Sequence, residues 1–326
     1  MANIINVGIV GCGDFLRWQA GDLANSKQLK VAKLFDPRRE EAEKYAAKLG
    51  GVVVDSEDAI FNDPSIGMVA LFVPPWIRAG LLARAARAGK HVITTKPLGP
   101  TEAECEGMVE SARKAGIKAG VIYSRTGDPF IETAKQIFES GRFGKLALYR
   151  QDWIHAYPKW NKWAVDPDKN GGPFMDAMIH NLNTANYLMG RPLVERKLYS
   201  DNLAHPDLRC ADTEFMVTRY EGGGVAHLFI TWAADLATHS TAGNDREHID
   251  VFYMVTDKGW RLTKEWRENG CFLVASREGK KEEVLVAAPA QTCYDGFAAH
   301  IAGGAFPRVL ATLSEAAADI ATVRKA

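Results

Sequence analysis

Few cysteines and no excess charge of either sign set the first limits on this sequence. Five Cys stand at positions 12, 105, 210, 271 and 293 of 326 residues, odd in number and scattered, with no Cys-x-x-Cys pair. That spacing argues against a disulfide framework and against a structural zinc site. The eight His form no His-x-x-x-His or His-Glu-x-x-His cluster, so no bound metal is expected. Forty Lys and Arg balance forty Asp and Glu. No basic excess is left to draw the chain onto nucleic acid or a membrane surface. Apolar runs fall short of the roughly 18 residues that a membrane span needs, and the start has no basic segment followed by an apolar one. A cytoplasmic protein is therefore expected.

What the chain does have is an ordinary globular composition, 47% hydrophobic and 25% charged. At roughly 150 residues per domain its length predicts two domains. Over residues 1–124, short β-branched runs alternate with helical patterns, the signature of a parallel sheet wound with helices. Strands are predicted near 4–10, 30–35, 52–54, 68–73, 91–95 and 118–123. Helices are predicted over 39–49, 79–88 and from Thr101 to Gly116, where Thr101 and Glu104 form a capping box. This is a doubly wound dinucleotide-binding (Rossmann) domain. From 125 to 326 the rhythm changes. Helices over 129–140 and 176–189 are joined by strands near 146–154, 193–199, 214–220, 225–232, 248–255, 260–263, 271–276 and 283–287. A large, open, mostly antiparallel sheet with helices on one face fits this α+β domain. A last helix is expected over 306–324.

The first strand runs into Gly11-Cys12-Gly13-Asp14-Phe15-Leu16. Gly11 suits a tight turn, and Gly13 lets backbone approach a pyrophosphate seated at a helix N-terminus, where free N–H groups and the helix dipole favour anions. Leu16 stands where the third glycine of that fingerprint would be. Asp36 follows the second strand, 23 residues after Gly13, where a carboxylate accepts from ribose hydroxyls and repels a 2′-phosphate. NAD is thereby favoured. Arg38 and Arg39 leave NADP open, because an arginine there can stack on adenine or pair with a 2′-phosphate.

Two later stretches carry the chemistry. Gly89-Lys90-His91-Val92-Ile93-Thr94-Thr95-Lys96-Pro97 puts Lys96 at the carboxyl end of the fifth strand, the edge where open α/β sheets bind ligands. Gly171-Gly172 leads into a helix on which Asp176, His180 and Asn183 share one face by spacing. Between them lies an aromatic stretch, residues 153–163, with Tyr157, Trp160 and Trp163 interleaved with polar groups. Apolar faces beside hydrogen-bond donors suit a sugar ring, although Trp153 and Trp163 equally suit bracing a strand end and a turn.

In this order, over residues 4 to about 190, these motifs resemble those of the glucose-fructose oxidoreductase / inositol dehydrogenase (Gfo/Idh/MocA) family. The resemblance implies an NAD(P)-dependent oxidoreductase acting on a secondary hydroxyl or ketone of a sugar, cyclitol or related polyol. It also implies a homodimer or homotetramer joined through the second domain's open sheet. By position, Lys96 corresponds to the lysine of the family's Glu-Lys-Pro, and Asp176 and His180 to its catalytic Asp and His. Gly11, Gly13, Asp14, Phe15, Asp36, Arg38, Val73, Pro74, Trp76 and Lys96 would face the dinucleotide. Lys96, Arg125, Tyr157, Trp160, Trp163, Asp176, His180 and Asn183 would face the substrate. Several positions depart from the family pattern: Thr95 replaces the glutamate, Arg78 a histidine, Ser124 an asparagine, and Met178 and Asn183 a glycine and an aspartate.

Two other readings stay open at this level. One is a glycosidase of the same fold that oxidises and re-reduces its sugar through NAD. The other is a non-enzymatic dinucleotide or sugar sensor, which would have no need of the pair Lys96 and His180.

Overall fold

A computed structural model describes residues 4–156, 162–234 and 249–324. The chain divides into two units: Met1–Thr126 with Pro289–Ala321, and Gly127–Ala288 with Thr322–Ala326. The expected second domain over 125–326 is thus interrupted, because 289–321 groups with the first unit.

The first unit opens with β1 (Ile5–Val10), α1 (Asp14–Asn25), β2 (Leu29–Phe35), α2 (Arg39–Leu49), β3 (Val52–Val53), α3 (Asp58–Phe61) and β4 (Ile66–Leu71). It continues with α4 (Pro75–Arg87), β5 (His91–Thr95), α5 (Glu102–Ala115) and β6 (Ala119–Ile122). All strand pairs are parallel, in the order β3-β2-β1-β4-β5-β6. Sheets of this kind carry helices on both faces, which is why Met68, Val69, Ala70 and Leu71 are all fully buried in an unbroken apolar run. Half of the predicted capping box is present: the Glu104 N–H donates to Thr101 Oγ1 at 3.3 Å, while the Glu104 carboxylate accepts from the Thr101 hydroxyl, at 2.8 Å, in place of the Thr101 N–H. Helix α4 begins earlier than the predicted 79, because Pro75 at its first position presets the helical φ.

The second unit holds α6 (Pro129–Ser140), β7 (Leu146–Ile154), a π-helical turn (Phe174–Met178) continuing into α7 (Ile179–Met189), then β8 (Leu193–Asp201), β9 (Thr213–Tyr220) and β10 (Val225–Thr231). The sheet is completed by β11 (Ile249–Thr256), β12 (Arg261–Arg267), β13 (Gly270–Arg277) and β14 (Lys280–Leu285). Its eight strands run β14-β13-β12-β11-β7-β10-β9-β8, and only β7 and β10 pair in parallel. Helices α6 and α7 cover one face, where Tyr149, Met216, Leu228 and Ile230 are buried and the Tyr149 hydroxyl donates to Asn181 Oδ1 at 3.3 Å. On the other face β10 presents a mixture of polar and apolar residues. His227 and Phe229 stand beside Val217 and Phe215 of β9, and the Asp152 carboxylate takes hydrogen bonds from Arg150 at 2.7 Å. His227 Nδ1 lies 3.3 Å from the same carboxylate.

The returning segment adds α8 (Cys293–Ile301), which the sequence pattern did not announce, and α9 (Leu313–Arg324). Asp295 in α8 accepts from Ser26 Oγ and from the Lys27 and Gln28 amides, fixing the turn between α1 and β2. The last helix was expected from residue 306. Residues 306–312 instead run past β6: Ala311 exchanges backbone hydrogen bonds with Val121 at 2.8 and 3.0 Å, and a Thr312/Glu315 capping box opens the helix after it. Pro307, which has no N–H to give a helical ladder, starts a turn in which the Leu310 N–H donates to its carbonyl at 3.0 Å.

Candidate active site

Four adjacent strands of the first unit, β2, β1, β4 and β5, end on one edge, and the residues singled out for cofactor chemistry follow those ends. Gly11 follows β1, Asp36 follows β2, Val73 and Pro74 follow β4, and Lys96 follows β5. Strand order reverses between β1 and β4, the switch point at which such sheets bind ligands. Gly11 has φ +93°, and a Cβ there would meet the Phe72 carbonyl oxygen at 2.4 Å, so only glycine makes this turn. A Cβ on Gly13 would meet nothing within 4 Å. Gly13 caps α1 with no side-chain hydrogen bond, so the cap residue gives the first-turn N–H groups no side-chain acceptor. That cradle fits a pyrophosphate. Phe15 braces it by packing edge-on to Phe72, ring centroids 5.0 Å apart. Leu16 is fully buried beneath it, and Asp14 is exposed at the helix start.

Asp36 does more than its expected role requires. Its Oδ2 accepts the Cys12 N–H at 2.8 Å and its Oδ1 the Arg38 N–H at 2.9 Å, so one carboxylate ties the glycine turn to the end of β2. Each oxygen keeps a further lone pair for a ribose hydroxyl. Arg38 is mostly exposed at the start of α2, while Arg39 is held by Glu43 and Asp55. Burial, with Asp36 nearby, pushes the Cys12 thiol up to about 12, so the cysteine inside the motif is no thiolate nucleophile at neutral pH.

Lys96 and Trp76 are half-buried; Trp76 lies in the first turn of α4. The Thr95 hydroxyl, where the family has a carboxylate, donates to the Ile122 carbonyl at 3.3 Å. Arg125, expected to face the substrate, lies just after β6 in the first unit. It is 3% exposed and donates to the backbone carbonyls of Arg308 and Leu310, anchoring the returning segment.

In the second unit, Gly171 and Gly172 adopt φ +89° and +110°. A Cβ on Gly171 would press on the Arg324 guanidinium, which donates to the Asn170 carbonyl at 2.9 Å. Asp176 lies in the π-helical turn, which replaces the regular α-helical spacing assumed for Asp176, His180 and Asn183. Asp176 and His180 are half-buried and Asn183 is buried, so the three do not form one uniformly exposed stripe. The buried Asn170 donates to Asp176 Oδ1 at 3.3 Å and orients it. Glu214 on β9 accepts the Phe174 N–H at 2.7 Å and the Ser200 hydroxyl at 3.3 Å, holding the start of the π turn. Burial raises its carboxyl to about 7. A charged residue at an inward position of an alternating strand was the signal available for it. Trp163 is half-buried in the turn before Gly171, with its carbonyl accepting the Asp166 N–H. Tyr157 and Trp160 lie outside the described residues. Among the described residues no group of three or more His, Cys, Asp or Glu side chains is placed to hold a metal ion, and no helix is long and apolar enough to cross a membrane.

A family model for the oxidoreductase family with NAD-binding Rossmann fold (GFO_IDH_MocA) matches residues 5–123, and one for the GFO/IDH/MocA C-terminal domain matches 131–246. The chain belongs to the Gfo/Idh/MocA oxidoreductase family. An uncharacterised Bacillus subtilis oxidoreductase, YrbE, is 25% identical over 257 residues, 77% of this chain and 72% of that protein. The NAD(+) scyllo-inositol 2-dehydrogenase of the same organism is 28% identical over 196 residues, 58% of this chain and 55% of that protein. The crystal structure of a Caulobacter crescentus aldose-aldose oxidoreductase complexed with glycerol matches the fold at a TM-score of 0.82 with 19% identity, covering 98% of this chain and 96% of that one. The Gfo/Idh/MocA assignment makes the chain an oxidoreductase with an NAD-binding Rossmann fold.

Proposed function

We propose that this Gfo/Idh/MocA protein transfers hydride between NAD(H) and a secondary hydroxyl or ketone of a sugar, cyclitol or related polyol. The observation that carries the reading is the edge formed by β2, β1, β4 and β5, where Asp36, the Gly11–Gly13 cradle, Val73 and Lys96 stand side by side in strand order. The bound dinucleotide supplies the hydride acceptor or donor. Asp36 takes the ribose hydroxyls and disfavours a 2′-phosphate, which selects NAD over NADP. In the oxidative direction the substrate carbon loses a hydride and its hydroxyl loses a proton. The imidazole of His180 is the group suited to accept that proton. Lys96 donates a hydrogen bond to the oxygen as negative charge develops on it, and Asp176 accepts one from a neighbouring hydroxyl, fixing the ring. Tyr157, Trp160 and Trp163 supply apolar faces for the ring. The protein assembles as a homodimer or homotetramer through the outer face of the eight-stranded sheet.

Fluorescence titration with NADH and NADPH, followed by absorbance at 340 nm with NAD and a panel of sugars, inositols and their keto forms, tests the reading. Tighter NADH binding and turnover with a polyol are expected. Binding of neither dinucleotide, or binding with no redox turnover across the panel in either direction, overturns it.

A further inference from the structure

A buried cation in the first unit is used by none of the roles above. Arg78 on α4 is 1% exposed, and burial lowers its pKa only to about 10, so it stays charged at neutral pH. The titratable groups that bear on its charge are the Cys105 thiol and the Tyr123 hydroxyl, neither of them a carboxylate. Its Nη2 donates to the Val73 carbonyl at 2.6 Å, and its Nη1 donates to the carbonyls of Leu98, at 3.0 Å, and Pro97. Nε has no hydrogen-bond partner.

Burying a charge is costly unless it is paired, and an apolar side chain of similar volume would avoid the cost. What the guanidinium gives in return is a rigid planar fork spanning three carbonyls at once. Those carbonyls belong to two segments. Val73 follows β4 on the cofactor side, and Pro97 and Leu98 follow Lys96 directly. The fork therefore fixes the backbone carrying Lys96 against the backbone beside the cradle.

We propose that Arg78 is the positioning residue for Lys96, holding the segment after β5 in register with the segment after β4 so that the lysine amine is presented at one place. This rests on the reading that Lys96 serves hydride transfer, and a displacement of about 1 Å at such a group can cost about 10²-fold in rate.

The test is a double-mutant cycle between Arg78→Met and Lys96→Met, together with amide hydrogen exchange on the full chain. Arg78→Met should lower kcat by about 10–100-fold, leave NADH affinity within about threefold, and speed exchange at the Leu98 and Gly99 amides. In the Lys96→Met background the same substitution should cost almost nothing further, because a residue that acts only through Lys96 has nothing left to position. Additive losses, an effect confined to KM, or unchanged exchange at the Leu98 and Gly99 amides overturns the proposal. Arg78→Lys, which keeps the charge but not the planar fork, goes through the same cycle, as the replacement if the Met variant does not fold. It should lose about 3–10-fold, and wild-type behaviour in both turnover and exchange overturns the need for the fork. If the unmodified protein turns over no polyol, the functional reading fails while exchange still judges the clamp.

Discussion

The two units build their glycine turns by different means. At the end of β1 the turn is made by backbone: Gly11 lies against the Phe72 carbonyl, and its surroundings follow from four parallel strands ending on one edge. Before α7 the turn is made by side chains from distant parts of the chain, with Arg324 on the Asn170 carbonyl, Glu214 on the Phe174 amide and Asn170 on Asp176. A site set by topology needs only a few residues of the right type at strand ends. A site set by a side-chain network can be retuned by changing one member.

The largest expected effects test whether the two units contribute equally to the chemical step. Lys96→Met, in the topological site, and His180→Ala, in the networked one, should each lower turnover by roughly 10²–10⁴-fold, with NADH affinity nearly unchanged. Steady-state kinetics beside a NADH titration decides it. Near-normal turnover in either variant removes that unit's residue from the mechanism and breaks the symmetry assumed for the pair.

This contrast also governs what could be read from sequence. Gly11, Asp36 and Lys96 were legible because a parallel sheet turns sequence order into position at one edge, and α2 and α6 appear with the predicted bounds. Asp176 and His180 were legible as a motif but not as a face, since the π turn changes the angle between them and nothing in the spacing announces a π turn. Glu214, Asn170 and Arg78 act through contacts with residues 40, 6 and 19–20 positions away. Such pairings depend on the finished fold. The partners of Arg125 were hidden for the same reason, since they come from the chain where it returns at 308–310.

The next expected effect is on stability and separates the two turns by pH. Burial raises the Glu214 carboxyl from its ordinary 4.5 to about 7. Between those values the folded chain keeps a proton that the unfolded chain releases. This group's contribution therefore becomes less favourable as pH rises from about 4.5 to about 7, and levels off above that. Glu214→Gln keeps an acceptor for the Phe174 amide but does not titrate. It should be more stable than the parent at pH 8 by on the order of 1–3 kcal/mol, with the difference vanishing near pH 5. Urea melts at pH 5, 6, 7 and 8 measure it, and a pH-independent difference would show that Glu214 is charged in the folded state. No such slope is expected from the turn at Gly11.

Arg125→Met separates anchoring from substrate recognition within the first unit. It removes two hydrogen bonds from a charged donor to buried carbonyls. A loss of about 1–3 kcal/mol in stability is expected, with the KM for polyol unchanged in the folded variant. A raised KM without loss of stability would return Arg125 to the substrate-facing set.

The smallest effect sharpens the comparison most finely, because it asks whether the topological site has any network of its own. Asp36 holds the Cys12 and Arg38 amides through two different oxygens and is also the group proposed to read the ribose. Asp36→Asn removes the charge and leaves one carbonyl oxygen to accept one of the two amides. Loss of charge alone should narrow the preference for NADH over NADPH by about tenfold, roughly 1.4 kcal/mol, as the penalty on a 2′-phosphate disappears. Loss of the tie to Cys12 should instead weaken both dinucleotides equally, because both place the same pyrophosphate in the Gly11–Gly13 cradle. Paired titrations of the parent and the variant distinguish the two. A change in ratio assigns Asp36 to ribose recognition, whereas a common weakening with the ratio intact makes it a brace for the turn, and the choice of NAD over NADP must then be carried by other residues.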